Sequence, residues 1–388
     1  MKDLKKLLQQ KKEAGLYRQR RITQGPQSTE LIVDDKKVIN FCSNNYLGLA
    51  NHPTINQAFK QGIDRYGSGS ASAHLINGHS AAHHALEEEL AEFTGYQRCL
   101  LFSTGYMANI GVVQALMGRG DVVLEDRLNH ASLLDAGLLS GARFSRFEHA
   151  SVSDARSKLS KYPEQEKMLL TDGVFSMDGD IAPLAELAQV CQQHQSYLMV
   201  DDAHGIGVLG EQGRGSLEYL GLAPSAVPVL MATLGKAFGA AGAFVAGSED
   251  VIEYLIQNAR SYIYTTAMPA ALAEASRASL KLVQAENARR QKLVELIKQF
   301  RRAVAEMGYQ LMDSVTPIQP IVIGDSKKAL EMSQQLFAQG IHVSAIRPPT
   351  VEQGKARLRI TFNADHSFGQ LQQLLDALDV ISKKNTLL

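Results

Sequence analysis

Lys236 stands in "MATLGKAFGAAGAF" (231–244), enclosed by Gly, Ala and Leu. Lysine is ordinarily a solvated surface cation. An amine desolvated by small apolar neighbours loses its proton readily and is a nucleophile toward an aldehyde. "SYLMVDDAHGIGVLG" (196–210) carries an apolar run into Asp201 and Asp202, with His204 close behind. A carboxylate there is costly to keep ionised unless it meets a cation, although Asp and Gly also follow strands simply as turn formers. "LLTDGVFSMDGD" (169–180) sets Asp172 and Ser176 past a second apolar run, and "VLEDRLNHASLLDA" (123–136) puts His130 at the start of a helical pattern. In "LLFSTGYMAN" (100–109), Ser103, Thr104 and Gly105 sit where an apolar run turns into a helix. Free backbone N–H groups and the helix dipole favour a phosphate at such a turn. The stretch is neither a GxGxxG motif nor a P-loop, and small polar residues also stand there as plain caps. An aldehyde-reactive amine, a phosphate cradle and a carboxylate for a ring nitrogen together make a pyridoxal-phosphate site. The competing reading is a lysine that bonds a helix C-terminus or a surface phosphate.

These residues converge only if the runs that carry them are neighbouring strands. From about residue 98 to 247, short apolar runs alternate with amphipathic stretches. "RCLLF" precedes "STGYMANIGVVQALM"; "SYLMV" follows "LAELAQVCQQHQ", where Leu184, Leu187, Val190 and Cys191 recur at three- and four-residue steps. Continuous apolar strands separated by helices predict a largely parallel sheet covered on both faces. Ligands of such sheets bind beyond the carboxyl ends of the strands, where these stretches end. After residue 285 the rhythm changes to a long helix near 289–307, then "IQPIVIGD", a helix, "IHVSAI", "ARLRITF" and a final helix, which predicts a smaller α+β domain. In "ARLRITF", Leu358, Ile360 and Phe362 alternate with Arg357, Arg359 and Thr361, so one face reads apolar and the other polar. The expected division is an N-terminal segment 1–50, a large domain 51–285 and a small domain 286–388. "GSGSASAHLINGHS" (67–80) is linker-like in composition but falls between helical patterns, and reads as an ordered active-site loop.

The whole chain has 388 residues, 45% hydrophobic and 21% charged, as a soluble globular protein does, and is long enough to need no disulfide or metal staple. Forty basic residues balance forty acidic ones, which argues against nucleic acid as the main partner. Cys42, Cys99 and Cys191 form no CxxC pair and suit a reducing cytoplasm. No apolar run reaches the roughly 18–20 residues of a membrane span, and no signal peptide opens the sequence. "MKDLKKLLQQKKEAGLYRQRR" holds eight Lys/Arg against two acidic residues, with Leu4, Leu7 and Leu8 at helical spacing. It reads as a solvated amphipathic helix, or as a landing surface for an acidic partner or an anionic substrate tail. His74, His79, His83 and His84 include two histidines one helical turn apart. No Cys or HExxH pattern accompanies them, so the expectation is structural roles and no metal.

On "NFCSNNYLGLA", "TDGVFSMDGDIAPL", "VDDAHGIGVLGEQGRG", "TLGKAFG" and "AIRPPTVEQGKARLRIT", the sequence resembles, nearly end to end, the pyridoxal-phosphate-dependent α-oxoamine synthases of the fold-type-I aminotransferase class. The resemblance implies a large α/β domain with a mostly parallel seven-stranded sheet, a smaller α+β C-terminal domain, and a homodimer with shared sites. It implies that Lys236 holds the cofactor as a Schiff base. Asp201 would pair with the pyridinium nitrogen, and His130 would stack on the ring and hydrogen-bond the reacting substrate. Ser176 and His204 would contact the ring hydroxyl. Gly105 and Tyr106 would bind the phosphate, with Thr233 assisting and Thr265 or Thr266 arriving from a second subunit. Arg359 would clamp the amino-acid carboxylate, although periodicity alone leaves Arg357 open, and Arg18, Asn44 and Thr350 would line the acyl side. The C-terminal segment points to a biotin-forming member that joins L-alanine to a pimeloyl thioester, carried by an acyl carrier protein or coenzyme A, with loss of carbon dioxide. A glycine-using, acetyl-transferring sister is the alternative. The intact Lys236, Asp201, His130 and His204 set speaks against a non-catalytic homologue.

Overall fold

The computed structural model describes residues 2–13 and 16–386. The chain divides into two units, one of Asn45–Ser176 and Asp180–Gln291, the other of Met1–Asn44, Met177–Gly179 and Lys292–Leu388. Against expected boundaries at 50 and 285, the division falls at 44 and 291.

The larger unit is built on seven strands: β1 Arg98–Phe102, β2 Val122–Asp126, β3 Arg143–Phe147, β4 Lys167–Asp172, β5 Tyr197–Asp201, β6 Val229–Thr233 and β7 Ala243–Gly247. Their order across the sheet is β1-β7-β6-β5-β4-β2-β3. Pairing is parallel from β6 through β3, and β7 alone runs against its two neighbours. The inner strands are buried almost throughout, as continuous apolar runs must be when helices cover both faces. The edge strand β3, "RFSRF", is the one left largely in contact with solvent. The helix Leu184–Gln193 buries Leu184, Leu187, Val190 and Cys191, the stripe that its three- and four-residue spacing requires. On one face of the sheet Val112, Leu133 and Leu255 close over Met168, Leu170 and Met199. The parallel topology leaves the carboxyl ends of β1, β2, β4, β5 and β6 along one edge.

In the smaller unit, Glu30–Val33 and Lys36–Asn40 form a hairpin that Ile341–His342 extends in parallel. A second sheet runs in the order Gln310–Leu311, Ile318–Gly324, Ala356–Thr361, Ser344–Ile346, and the unit also holds the helices Ser326–Ala338 and Phe368–Thr386. The strand Ala356–Thr361 keeps its alternation of apolar and polar residues, but all six are buried, so the polar row meets partners rather than water. Arg357 is neutralised by Asp178, and Arg359 donates to Thr361 Oγ1 at 2.9 Å and to Asn44 Oδ1 at 3.1 Å. Alternation separates polar from apolar residues, but it does not say whether the polar row meets water or partners. Among the described residues no helix is long and apolar enough to cross a membrane.

Candidate active site

A cavity of about 180 Å³ opens at the carboxyl ends of the strands in the larger unit. Asp172, Asp201 and Thr233 reach it as the last residues of β4, β5 and β6. Gly105 and Tyr106 begin the helix after β1, and His130 caps the helix after β2. His204 and Lys236 come from the loops that follow β5 and β6. Distant stretches of sequence thus meet because each is a strand end.

Lys236 Nζ lies 2.7 Å from His204 Nε2, and His204 Nδ1 lies 2.6 Å from Tyr46 Oη. With the amine donating to Nε2, the ring hydrogen falls on Nδ1 and faces the tyrosine oxygen. The two loops approach closely at Gly207, where φ is 80° and a Cβ would stand 2.9 Å from Ala237 Cβ. Any larger residue there would push the Lys236 loop away from the His204 loop.

Asp201 and Asp202 part ways at the strand end. Asp202 is fully buried outside the cavity and accepts the Ser216 N–H at 2.8 Å; burial pushes its carboxyl up to about 7. Asp201 faces the cavity with Oδ1 held by the Ala203 N–H at 3.0 Å and Oδ2 by the Asn109 amide at 2.8 Å. The same Asn109 nitrogen donates to Ser132 Oγ at 2.8 Å, so the hydroxyl hydrogen of Ser132 is left for His130 Nδ1, 2.7 Å away. The Ser132 N–H also points at Nδ1, at 3.3 Å. With two donors on Nδ1, the ring carries its hydrogen on Nε2. Burial lowers the His130 pKa below its ordinary value, Lys236 acting in the same direction and Asp201 against it. The ring is therefore a neutral N–H donor near pH 7. The His130 N–H is accepted by both carboxyl oxygens of Asp172, at 3.3 and 3.2 Å. Burial, and then the neighbouring charge of Asp201, raises Asp172 well above the usual carboxylate range.

The helix Gly105–Leu116 is capped by Thr104, whose Oγ1 accepts the Met107 N–H at 3.2 Å. The N–H groups of Gly105 and Tyr106 lie in its first turn, where no preceding carbonyl can take them, and the helix dipole adds to their attraction for an anion. Thr233 Oγ1 donates to the Gly242 carbonyl at 2.9 Å and accepts the Gly235 N–H at 3.2 Å, bracing the loop that carries Lys236. An amine, a pair of exposed N–H groups and a carboxylate with both oxygens already fixed fit pyridoxal phosphate.

Some expected residues lie elsewhere. Ser176 is half-buried and Thr266 is exposed, and neither lines this cavity. The Thr266 carbonyl accepts Ser103 Oγ at 3.2 Å, and Thr265 and Thr266 border a separate small space with Ser261 and Tyr262. In the smaller unit Asn44 holds Arg359, while Arg18 and Thr350 are exposed. Arg18 is absent from the lining of that unit's own cavity of about 880 Å³, to which Lys12, Arg20, Arg21 and Arg347 contribute the positive charge. The histidines of residues 74–84 are tied to one another and to the chain. His83 Nε2 sits 2.7 Å from the Met268 carbonyl, and His74 stacks on Tyr262 with ring centroids 5.0 Å apart. Burial lowers the pKa of His74, His79 and His83. Sequence reasoning missed Tyr46, Asn109 and Ser132. Asn109 leaves a readable trace, as the one strongly polar residue on the buried face of an apolar helix, and Ser132 follows His130 at helix-capping distance. Tyr46 leaves none, being 158 residues from its partner.

Residues 36–378 match the family Aminotransferase class I and II. The chain is 60% identical to the 8-amino-7-oxononanoate synthase of Thioalkalivibrio sulfidiphilus, over 98% of this chain and 97% of that protein. It is 59% identical to the 8-amino-7-oxononanoate synthase of Methylococcus capsulatus, over 95% of each. Among solved structures it is similar to the serine palmitoyltransferase of Sphingomonas wittichii, with 31% identity, a TM-score of 0.94, and coverage of 100% of this chain and 98% of that one. The 8-amino-7-oxononanoate synthase of Francisella tularensis matches at 33% identity and a TM-score of 0.78, over 90% of this chain and 98% of that one. A serine palmitoyltransferase solved with its pyridoxal-phosphate internal aldimine is 29% identical, with a TM-score of 0.94 over 99% of this chain and 98% of that one.

Proposed function

The chain belongs to the class I and II aminotransferase family, and we propose that it carries out the 8-amino-7-oxononanoate synthase reaction of biotin formation with pyridoxal 5′-phosphate as cofactor. L-Alanine and a pimeloyl thioester condense; carbon dioxide and the carrier thiol leave. The observation that carries this reading is the convergence of Lys236, Asp201, His204 and His130 on one cavity, in a chain 60% identical to a named synthase.

Pyridoxal phosphate anchored in this cavity through Lys236 would supply, once the alanine amine has displaced the lysine, a protonated ring able to accept the electron pair left at the α-carbon. Lys236 Nζ, freed by that displacement, would be the base for the α-proton, and His204, 2.7 Å away, fixes where the amine sits. Asp201 sets its carboxyl group at the cavity wall, where it would meet the ring nitrogen, its orientation fixed by Ala203 and Asn109. Gly105 and Tyr106 hold the phosphate through their N–H groups, and Ser176 and His204 serve the ring hydroxyl. His130, with hydrogen on Nε2, donates to the thioester carbonyl oxygen as it gains negative charge. Arg359 takes the alanine carboxylate in a bidentate grip; Arg357 is already engaged by Asp178. Arg18, Asn44 and Thr350 serve the acyl chain. The working form is a homodimer in which Thr266 of a second copy completes the phosphate site. The free thiols of Cys42, Cys99 and Cys191 suit a cytoplasmic enzyme.

Mass spectrometry of the product tests this reading. Purified enzyme with L-alanine and a pimeloyl thioester should yield 8-amino-7-oxononanoate and one equivalent each of thiol and carbon dioxide. Faster turnover with glycine and acetyl-coenzyme A would assign it to the sister activity instead.

A further inference from the structure

We infer that the N-terminal helix Leu4–Glu13 is the docking surface for an acidic carrier protein that delivers the acyl thioester, an inference that rests on the acyl-transfer reading above. The helix starts with Asp3, whose Oδ1 accepts the Lys6 N–H at 3.0 Å, and none of its ten residues is buried. At 100° per residue, Leu4, Leu7 and Leu8 fall within an arc of about 100°. They are 65%, 44% and 49% exposed. Lys11 lies inside the same arc and Lys12 and Lys5 follow along one flank, so a short apolar stripe carries positive charge within it and beside it. Charge complementarity asks for a partner that offers carboxylates around an apolar patch.

The same end of the helix adjoins the basic cavity of its unit. Lys12 lines that cavity and also lies over the Tyr17 ring, 5.1 Å from its centroid. Arg20, Arg21 and Arg347 line it too. A phosphate-bearing thioester arm matches this lining whether it hangs on a protein or on a nucleotide. The leucines separate the two sources. A nucleotide carrier needs cations around its phosphates but has no use for a leucine stripe spread along a helix about 15 Å long. A helical carrier protein has use for both. The stripe is too small, and too poor in aromatic residues, to hold a lipid surface on its own. A twofold contact between two copies would set these lysines against each other.

The test uses the full-length holoenzyme and two variants, a charge reversal (Lys5→Glu, Lys6→Glu, Lys11→Glu) and a stripe variant (Leu4→Ser, Leu7→Ser, Leu8→Ser). Thiol release with alanine is measured for pimeloyl groups on an acidic acyl carrier protein and on coenzyme A. Binding of the unacylated carrier protein is measured separately by fluorescence anisotropy. The expected result for both variants is a KM for the carrier-protein donor, and a carrier Kd, raised about tenfold or more, with kcat kept and the coenzyme A KM within about twofold. Equal changes with both donors, or none, would overturn the inference. So would a changed oligomeric mass, or loss of binding to anionic phospholipid vesicles without loss of carrier affinity. If neither donor turns over, the acyl-transfer reading fails, and the anisotropy measurement still decides whether the helix binds the carrier.

Discussion

Asn109 does for the candidate site what neither Asp201 nor His130 does alone. One amide nitrogen donates to Asp201 Oδ2 and to Ser132 Oγ, so the carboxylate and the imidazole tautomer are set through the same group. A Ser132→Ala change removes the hydroxyl that meets His130 Nδ1 while leaving the cofactor contacts in place. It should lower kcat roughly ten- to a hundredfold, less than the loss of an oxyanion donor itself, with the cofactor absorbance unchanged. A kcat within about twofold of the parent would show that His130 does not depend on Ser132. Arg357 and Arg359 should also separate experimentally, although the sequence pattern makes them twins. Arg359→Lys loses the planar fork and should raise the KM for alanine about tenfold or more with little change in thermal stability. Arg357→Ala removes a buried guanidinium and its ion pair with the half-buried Asp178, and should cost about 1–3 kcal/mol of stability. Denaturant titrations beside alanine saturation curves measure both, and the reverse pattern would exchange the two roles.

Loops are positioned by what they touch, and two contacts decide the geometry here. Gly207 allows the His204 loop to meet the Lys236 loop. Gly207→Ala combines a positive φ with a 2.9 Å contact against Ala237, and should cost about 1–2 kcal/mol. It should also lower kcat more than it raises either KM; a stable variant with normal kcat would separate the glycine from the site. The second contact is His149. Its Nδ1 lies 3.0 Å from Asp126 Oδ1 at the end of β2, and its Nε2 lies 3.0 Å from Asp180 Oδ2 on the turn after β4. Burial opposes the positive ring, but the two carboxylates outweigh it and raise the pKa to about 10. An unfolded histidine titrates near 6.5. The stabilisation is therefore complete below about pH 6.5 and is lost as the pH climbs through about 10. The melting-temperature deficit of His149→Gln should be largest near pH 6 and shrink steadily toward pH 10, whereas a deficit indifferent to pH would mean that the ring acts by packing alone. Strand ends were legible because each announces itself locally, as Asp201 and Asp172 do by closing apolar runs. The buried polar row of Ala356–Thr361 was not legible, because Asp178 and Asn44 lie 179 and 315 residues away from the arginines they meet.

Over the whole chain the sheet order brings the ends of β1, β2, β4, β5 and β6 to one edge, and five separate stretches of sequence supply one cavity. That convergence could be anticipated from alternating strands and helices alone. The unit boundaries could not, since Met177–Gly179 leave the larger unit on a three-residue turn that composition does not mark. The roles of Ser176 and Thr266 carry no local signal in the sequence, and both residues stand outside the cavity of a single chain. Under the proposed reading Ser176 meets the bound cofactor and Thr266 serves the site of a second copy; mixing a Thr266→Ala variant with a Lys236→Ala variant should then recover activity, and no recovery would count against the shared site. The proposed chemistry starts from one amine. Reduction of the purified enzyme with borohydride after addition of pyridoxal phosphate, followed by peptide mapping, should place a single phosphopyridoxyl group on Lys236 and abolish the visible absorbance of the bound cofactor. A label on another lysine, or none, would contradict it.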